Sequence, residues 1–299
     1  MKIEKWLVKN TTDLHGKLIA VTGSTGGIGT ELCRYLAWLG ADLVLLNRSR
    51  KKSDAQKNAL TEEFPNCRIT CLNVDLEELS SVKNVTEVLK TLPIDGFIHN
   101  AGAYSIPRKT CETGFDNVFQ INFVSPYYII RELLPLLSER RGHVVAVGSI
   151  AHNYSKTDAN DVDFSTRRAA SKVYGNAKRY LMYGLAKLFR EETQASLSVT
   201  HPGISFTNIT AHYPKVIFAI IKYPMKVIFM KPKKAALCVL KGLFDNTGCN
   251  FWIGPQWFDI WGTPKKKTLK TASRKERQEI AARAEQIYQD VKTEKKSAK

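Results

Sequence analysis

The sequence predicts an α/β fold: a single domain with a doubly wound parallel sheet and helices on both faces. Two observations lead to this prediction. Short, continuous apolar segments alternate with longer amphipathic ones, and a cluster of glycines directly follows the first apolar segment. Strands that are apolar throughout are buried on both faces, which is typical of a parallel sheet covered by helices. Right-handed crossovers between such strands produce the doubly wound arrangement.

Six strands are expected along the first two thirds of the chain. In order they are KLIAVTG (17–23), DLVLLNR (42–48), RITCLNVDL (68–76), IDGFIHNAG (94–102), GHVVAVGSI (142–150) and LSVTHPG (197–203). Amphipathic stretches such as ELCRYLAWLG, SSVKNVTEVLKTL and YYIIRELLPLLSER lie between them and are predicted to be helices.

The chain is expected to divide into one folded domain and a tail. Residues 1–263 contain no linker or internal repeat and are predicted to form the domain. Residues 264–299 have few large apolar side chains, and their basic residues outnumber the acidic ones. We therefore expect an exposed, basic helical tail, with contact to a membrane or a partner as the alternative.

The charge balance predicts an anionic partner. The 299 residues include 45 Lys and Arg against 28 Asp and Glu, a net charge of +17. A phosphate-bearing cofactor, an anionic membrane surface and nucleic acid all fit such an excess. Nucleic-acid binding would rest on the net charge alone, so we do not expect it. The six cysteines form no CxxC and the histidines no ligand cluster, so reduced thiols, a cytoplasmic location and no metal are expected.

The glycine cluster TGSTGGIG (22–29) lies between the first strand and a helix. Gly23 would allow the sharp turn, Gly27 would let the backbone approach a pyrophosphate, and Gly29 would permit close packing of helix on sheet. The helix N-terminus then offers unpaired N–H groups to a phosphate. This context predicts a dinucleotide-binding Rossmann fold.

The segment VYGNAKRYLMYGLAK (173–187) contains the pattern Tyr-Gly-x-Ala-Lys twice. Tyr174 precedes Lys178, and Tyr183 precedes Lys187, by four residues each, so either pair shares one helix face. The two tyrosines are nine residues apart, about two and a half helical turns, and point to roughly opposite sides. At most one pair faces a given active site.

Several motifs together resemble the short-chain dehydrogenase/reductase family over about residues 14–207. They are TGSTGGIG with its Gly-x-x-x-Gly-x-Gly spacing, VDL (74–76), HNAG (99–102), Asn122 in FQINFVSP, Ser149 in AVGSI, YGNAK (174–178) and HPGISFT (201–207). The run TGFDNVFQINFVSPYYIIRELLPLL looks most like the retinol-dehydrogenase-like branch, which acts on lipophilic carbonyls and alcohols.

The resemblance implies which tyrosine is catalytic. The family's catalytic Tyr lies about 30 residues before the Pro-Gly that ends the sixth strand; Tyr174 lies 28 residues before Pro202, and Tyr183 only 19. Tyr174 is then the acid/base, and a charged Lys178 is expected to lower its pKa. Ser149 would hydrogen-bond the substrate oxygen, and Asn122 would hold a water that links Lys178 to solvent.

The cofactor is expected to be NADP(H). No carboxylate stands at the end of the second strand, where one would select NAD, whereas Arg48 can bind a 2′-phosphate. Asp75 is expected to contact the adenine, with a helix cap as the alternative. By resemblance, the full cofactor-binding set is Gly23, Gly27, Ile28, Gly29, Arg48, Asp75, Leu76, Asn100, Ala101, Gly102, Tyr174, Lys178, Pro202, Gly203 and Thr207.

Several features depart from the family or extend it. His99 stands where the family often has Asn, and Ala177 where it often has Ser. The 25-residue interval from Ser149 to Tyr174 contains an insert, residues 151–173, that is expected to form part of the substrate entrance. Residues 208–234 are expected to be a lid, either packed on the domain or inserted into an anionic bilayer. FWIGPQWFDIW (251–261) either lines the same pocket or packs at an edge.

The function expected from the sequence is NADP(H)-dependent interconversion of a carbonyl and an alcohol on a lipophilic substrate. The same chemistry on a peripheral membrane enzyme is one alternative. A non-catalytic, nucleotide-sensing regulator is another, although such a protein need not keep Asn122, Ser149, Tyr174 and Lys178 together. Both a homodimer and a monomer remain open.

Overall fold

The computed structural model describes residues 2–191, 193–203, 230–269 and 271–294. Its centre is an eight-stranded sheet in the order β3-β2-β1-β4-β5-β6-β7-β8. All neighbouring strands are parallel except β8, which pairs antiparallel with β7. The strands are β1 (Leu18–Thr22), β2 (Asp42–Asn47), β3 (Ile69–Asn73), β4 (Gly96–His99), β5 (His143–Val147), β6 (Ser196–Thr200), β7 (Gly248–Trp257) and β8 (Trp261–Thr268).

Helices cover both faces of the sheet. They are α1 (Ile3–Asn10), α2 (Gly27–Trp38), α3 (Arg50–Glu63), α4 (Leu79–Lys90), α5 (Asn117–Phe119), α6 (Ser125–Glu139), α7 (Ala170–Glu191), α8 (Pro232–Phe244) and α9 (Arg274–Lys292). A π-helical turn (Gln120–Val124) joins α5 to α6, and a short 3₁₀ helix (Ile150–Tyr154) follows β5. The doubly wound α/β fold expected from the sequence is confirmed.

The two faces of the sheet carry two separate apolar cores, because successive strand side chains point to opposite faces. In β1, Ile19 and Val21 pack with α1, α2 and α8, whereas Ala20 between them packs with α4, α6 and α7. The same alternation places Leu43 and Leu45 of β2 on the first face. Both faces are buried, which explains why the strands read as continuous apolar runs.

The last two strands were not expected. FWIGPQWFDIW forms much of β7 and the turn into β8, and Phe258 and Asp259 in that turn have positive φ angles of 52° and 57°. Its glycine and proline residues obscure the alternation that identifies a strand. Trp252 is buried, whereas Trp257 and Trp261 are exposed, so the segment is an edge hairpin and these last two side chains do not lie in the core.

The C-terminal segment also differs from expectation. The division placed after residue 263 falls inside β8, so strand and tail are continuous. The helix α9 packs on α6 and α7 through Ile280, Ala284, Ile287 and Val291. These residues repeat at helical spacing and form a narrow apolar stripe, which the low overall apolar content concealed. The expectation of an exposed helical tail was therefore wrong for α9.

Much of the expected lid, residues 208–234, lies outside the described residues. Of that segment the structure describes residues 230–234, where Met230 is buried and α8 begins at Pro232. Among the helices that the structure describes, none is long and apolar enough to cross a membrane.

Candidate active site

A cleft of about 660 Å³ opens at the carboxyl ends of β1, β2 and β4. This is the point where the strand order reverses, since β1 pairs with β2 on one side and β4 on the other. Ligands of doubly wound sheets bind at such a switch point. The glycine loop, the ends of β2 and β3, and the segment after β4 line the cleft.

The glycine loop has the geometry that its sequence predicts. Gly23 has φ of +65°, and a Cβ there would lie 2.8 Å from the Cα of Ala101. A Cβ on Gly29 would lie 2.2 Å from the carbonyl oxygen of Gly23, so any side chain would force the loop away from α2. The helix α2 begins at Gly27, and Gly27, Ile28 and Gly29 line the cleft. Its N-terminal N–H groups can therefore bind an anion.

Asn100 and Thr22 hold the segment after β4 against the glycine loop. The Asn100 side chain donates to the carbonyl oxygen of Gly23 at 3.0 Å. The Thr22 hydroxyl oxygen accepts from the backbone N–H groups of Asn100 and Ala101, both at 3.1 Å. Ala101 and Gly102 are thus fixed along one wall of the cleft.

Asn47 is a structural residue of this site that sequence reasoning missed. Its buried side chain accepts from the Thr25 N–H at 3.2 Å and donates to the hydroxyls of Ser24 and Ser53 at 2.7 and 2.9 Å. One amide therefore fixes both the glycine loop and the start of α3. A polar residue that ends an otherwise apolar strand, next to a serine-rich segment, was the available signal.

Arg48 is the cation at the end of β2. Its side chain is 72% exposed, and its nearest carboxylate oxygen, on Asp75, is 3.9 Å from Nη1. Asp75 lines the cleft and also accepts from the Glu77 N–H at 3.0 Å, so it bends the chain before α4 while facing the cleft. Leu76 lines the cleft beside it. Arg48 is held loosely enough to bind another anion.

Asn122 lies on the π-helical turn after α5. Its side chain donates to the carbonyl oxygens of Val118 and Ala103, both at 2.8 Å, and accepts from the Ala103 N–H at 3.3 Å. The extra residue in a π-helical turn rotates the following side chains, and such turns are frequent at functional sites. Asn122 is fully buried and joins this turn to the segment after β4.

Three of the four expected catalytic side chains converge on Gly102. A Cβ placed on Gly102 would lie 2.9 Å from Asn122 Oδ1, 3.6 Å from Lys178 Nζ and 3.9 Å from Tyr174 Oη. The fourth, Ser149, is hydrogen-bonded to the Tyr174 side chain. Gly102 itself lines the cleft, whereas the four expected catalytic side chains do not; three of them lie directly beside Gly102.

Burial sets the protonation states of Tyr174 and Lys178. Burial raises the pKa of the Tyr174 phenol above its usual 10, and the hydrogen bond from Ser149 partly opposes this shift. Burial lowers the pKa of Lys178 to about 7, while its Nζ donates to the carbonyl oxygen of Val147 at 2.8 Å. The structure therefore does not show the lowered phenol pKa that the sequence predicts.

His99, the departure from the family pattern, is buried beside this group. Its Nδ1 lies 3.1 Å from the Thr22 hydroxyl. Burial and the nearby Lys178 lower its pKa well below the usual range. His99 is thus held neutral, and it supports the same hydroxyl that fixes Asn100 and Ala101.

The insert lies against Tyr174. Its residues Phe164 and Val173 form a small apolar cluster with Val118, and Tyr174 packs against that cluster. Tyr104, which sequence reasoning missed, lines the cleft and contacts the Tyr174 ring edge-on at 5.4 Å. The Tyr174 side chain thus has apolar and aromatic neighbours.

The remaining expected positions do not line the cleft in the part of the chain that the structure describes. Pro202 and Gly203 follow β6, and Gly203 has φ of +82°. Thr207 lies outside the described residues. Within the described part of the chain, we find no group of three or more His, Cys, Asp or Glu side chains that could hold a metal ion.

The chain is similar to known proteins along most of its length. A family model described as short chain dehydrogenase matches residues 17–212. The chain is 29% identical over 220 residues to a short-chain dehydrogenase, TIC 32 A, of Brassica napus, with 69% of each chain covered. It is 27% identical over 207 residues to the polyprenol dehydrogenase of Homo sapiens, covering 66% of this chain and 63% of that one.

Solved structures share the fold. A putative uncharacterized protein from Mycobacterium Paratuberculosis superposes with a TM-score of 0.73 at 21% identity, covering 95% of this chain and 96% of that one. The L-sorbose reductase of Gluconobacter frateurii, complexed with NADPH and L-sorbose, gives a TM-score of 0.59 at 19% identity, covering 78% and 94%. At these identities the likeness establishes the fold.

Proposed function

The chain belongs to the short-chain dehydrogenase family of oxidoreductases, and from that premise we propose that it interconverts a carbonyl and an alcohol on a lipophilic substrate with NADP(H). The observation that carries the proposal is the convergence of Asn122, Tyr174 and Lys178 on Gly102, at the wall of the cleft that the glycine loop opens. The family assignment is confirmed; the retinol-dehydrogenase-like branch stays a prediction.

The cleft fits a dinucleotide that carries a 2′-phosphate. Gly23 and Gly29 have no room for a side chain, and the N-terminus of α2 would hold the pyrophosphate. Arg48 would bind the 2′-phosphate, since its guanidinium is exposed and only loosely paired. The remaining contacts would come from Asp75, Leu76, Asn100, Ala101, Gly102, Pro202, Gly203 and Thr207. When bound, the reduced nicotinamide supplies the hydride for the carbonyl carbon.

Tyr174 is the proposed acid. Because burial keeps its phenol protonated at neutral pH, Tyr174 Oη can donate a proton to the oxygen of a carbonyl that accepts a hydride. Ser149 would hydrogen-bond the same oxygen and stabilise its developing charge. A raised phenol pKa suits the acid role, so carbonyl reduction is the proposed direction.

Lys178 is proposed to return the proton to Tyr174. A lysine with a pKa of about 7 exchanges protons readily at neutral pH, which is the condition that proton transfer requires. Asn122, which is fixed by three hydrogen bonds, would hold a water molecule that links Lys178 to solvent. A nucleotide sensor would need neither residue, and turnover distinguishes the two functions.

The first experiment is an absorbance assay at the NADPH band with aldehydes, ketones, retinoid and steroid carbonyls, and polyprenals; a polyprenol dehydrogenase is among the relatives. Oxidation of NADPH with one of these carbonyls is the expected result. Binding of NADPH without turnover of any carbonyl or alcohol would favour the sensor instead.

Cofactor choice is tested by Arg48→Asp. We expect the ratio of kcat/KM for NADPH over NADH to fall roughly 100-fold, because the new carboxylate repels a 2′-phosphate and accepts from a 2′-hydroxyl. Arg50→Asp is the matched control: its side chain is 79% exposed, it is paired with Asp54, and it does not line the cleft. An unchanged ratio in Arg48→Asp would refute the assignment.

An anionic membrane surface is a second proposed partner. Trp257 and Phe258, at the turn between β7 and β8, are 58% and 79% exposed, and Trp261 is exposed beside them. Lys265 and Lys266 are exposed on β8. Since β7 is parallel to β6, this turn lies at the same edge of the sheet as the active site. Aromatic side chains with nearby lysines are typical of surfaces that enter the headgroup region.

Vesicle sedimentation tests this partner. We expect binding to phosphatidylserine vesicles that weakens with salt, and about a tenfold loss of binding in the double variant Trp257→Ser, Phe258→Ser. Trp38→Ser is the control, since Trp38 is 46% exposed on α2, away from the hairpin. Equal binding by both variants would exclude the hairpin as the contact.

A further inference from the structure

The second Tyr-Gly-x-Ala-Lys motif has neighbours that the proposed chemistry does not use. The Tyr183 side chain is fully buried, and its hydroxyl lies 2.5 Å from the Thr271 hydroxyl. Two guanidinium groups lie over its ring: that of Arg179 is 5.7 Å from the ring centroid, and that of Arg277 is 5.2 Å away. Thr271 and Arg277 both come from the C-terminal segment.

Arg179 is the centre of this contact. It directly follows Lys178 and is almost completely buried. Its Nε and Nη2 donate to one carboxylate oxygen of Glu276 at 3.1 and 2.6 Å, and Nη2 also donates to the carbonyl oxygen of Thr271 at 2.9 Å. The remaining nitrogen, Nη1, donates to the carbonyl oxygen of His152 at 2.8 Å. One guanidinium therefore joins α9 to the segment after β5.

That segment carries Ser149. The His152 ring Nδ1 lies 2.5 Å from the carbonyl oxygen of Ser149, and the Ser149 hydroxyl oxygen accepts from the Ala151 N–H at 3.2 Å. The 3₁₀ helix also packs tightly on α7, because a Cβ on Gly175 would lie 2.2 Å from the Ala151 carbonyl oxygen. Displacing His152 would therefore move Ser149 relative to Tyr174.

Glu276 also binds the insert. The carboxylate oxygen that accepts from Arg179 lies 3.3 Å from both the backbone nitrogen and the hydroxyl of Thr157. Ser273, the N-cap of α9, accepts from the Glu276 N–H at 3.1 Å. In a capping box the Glu side chain returns to the N-cap N–H. Here the carboxylate binds Arg179 and Thr157 instead.

We propose that Arg179, Tyr183, Thr271 and Glu276 form a C-terminal latch, whose function is to position Ser149 against Tyr174. Glu276 and Arg179 are positioning residues, since neither touches the cleft, and the inference rests on the proposed roles of Ser149 and Tyr174. The buried guanidinium needs the carboxylate as its counter-charge. The planar guanidinium has N–H donors on several sides, so it can bind α9 and the 3₁₀ helix at the same time, which a lysine ammonium cannot do.

The test compares Glu276→Gln with Glu279→Gln in the full-length chain. Glu279 lies on the same helix, is exposed and pairs only loosely with Lys275 at 3.9 Å. For Glu276→Gln we expect kcat to fall roughly tenfold, with the KM for NADPH within about twofold of wild type, because the glycine loop is not involved. Glu276→Asp keeps the charge and should give an intermediate kcat, and it serves as the test if Glu276→Gln does not fold.

Two further measurements separate positioning from general stability. Loss of the Ser149 hydrogen bond should move the phenol limb of the kcat pH profile upward by about half a pH unit or more, since that bond lowers the Tyr174 pKa. Hydrogen–deuterium exchange should increase over residues 150–157 and stay unchanged over 23–29.

The outcomes are distinct. A lower melting temperature in Glu276→Gln, with kcat, pH profile and exchange over 150–157 equal to those of Glu279→Gln, would overturn the latch. If wild type reduces no carbonyl at all, the proposed function fails, and the exchange over 150–157 still decides whether Glu276 orders the segment that carries Ser149.

Discussion

The two Tyr-Gly-x-Ala-Lys motifs of α7 have the same letters and opposite environments. Tyr174 lies beside Gly102, which lines the cleft, whereas the buried Tyr183 ring contacts the guanidinium groups of Arg179 and Arg277. Lys178 is buried on the carbonyl oxygen of Val147, whereas Lys187 is exposed. A pattern of residue types thus places a phenol and an amine on one helix face, and the elements around that face decide what they do.

The lysines and glycines of the two motifs show the same contrast. Desolvation dominates at Lys178 because none of the carboxylates in the described residues pairs with it, and its pKa falls to about 7. A Cβ on Gly175 would lie 2.2 Å from a backbone oxygen of the 3₁₀ helix. A Cβ on Gly184 would lie 3.1 Å from its nearest atom, the side-chain carbon of Ala284. One motif packs against the active-site backbone, and the other packs against α9.

The largest expected difference is in turnover. Tyr174→Phe should lower kcat roughly 10³-fold, because the phenol is the proposed proton donor. Tyr183→Phe keeps the ring contacts with the two guanidiniums and loses only the hydrogen bond to Thr271. We therefore expect less than about a tenfold change in kcat and a loss of about 1 kcal/mol in the free energy of unfolding. Steady-state assay and thermal unfolding measure both. Equal losses of turnover would remove the distinction between the motifs.

The next difference is in stability at the two glycines. Gly175→Ala should lower the free energy of unfolding by roughly 1–3 kcal/mol, since the new methyl meets a backbone carbonyl that cannot move alone. Gly184→Ala should stay within about 1 kcal/mol of wild type, because the gain in helix propensity offsets a tight side-chain contact. Urea unfolding measures both. A Gly175→Ala variant as stable as wild type would show that the 3₁₀ helix is not held where the structure places it.

The smallest expected difference is in the pH dependence of stability. The pKa of Lys178 is about 7 in the folded chain against 10.5 for a free lysine, so the unfolded chain binds more protons between these values. Stability therefore rises with pH through that window. The difference in unfolding free energy between wild type and Lys178→Met should increase by roughly 2 kcal/mol from pH 7 to pH 9.

Lys187→Met is the matched control, since Lys187 is exposed on the same helix. Its stability should follow that of wild type in parallel across the same pH range. A flat difference curve for Lys178→Met would mean that Lys178 keeps its charge in the folded chain, and the proposed return of a proton from Lys178 to Tyr174 would lose its basis.

Local signals predicted the first six strands and the glycine loop well. Each strand is a continuous apolar run, and each required glycine stands where a strand turns into a helix. The β7–β8 hairpin was missed because Gly254 and Pro255 interrupt its pattern, and the packing of α9 was missed because four apolar residues are diluted among charged ones. Both errors concern elements whose burial is decided by a distant partner.

Within the site, the sequence by itself determined which residue types are available: the glycines, Arg48, Asn122, Ser149 and two Tyr–Lys pairs. It also determined the doubly wound, parallel arrangement of the sheet, since apolar runs and crossover handedness leave few alternatives. The tertiary structure alone decided that Asn47 fixes the glycine loop, that burial raises the Tyr174 pKa, and that Arg179 binds Glu276 from 97 residues away. Hydrogen bonding and desolvation depend on distances between side chains that are remote in sequence, and only folding sets those distances.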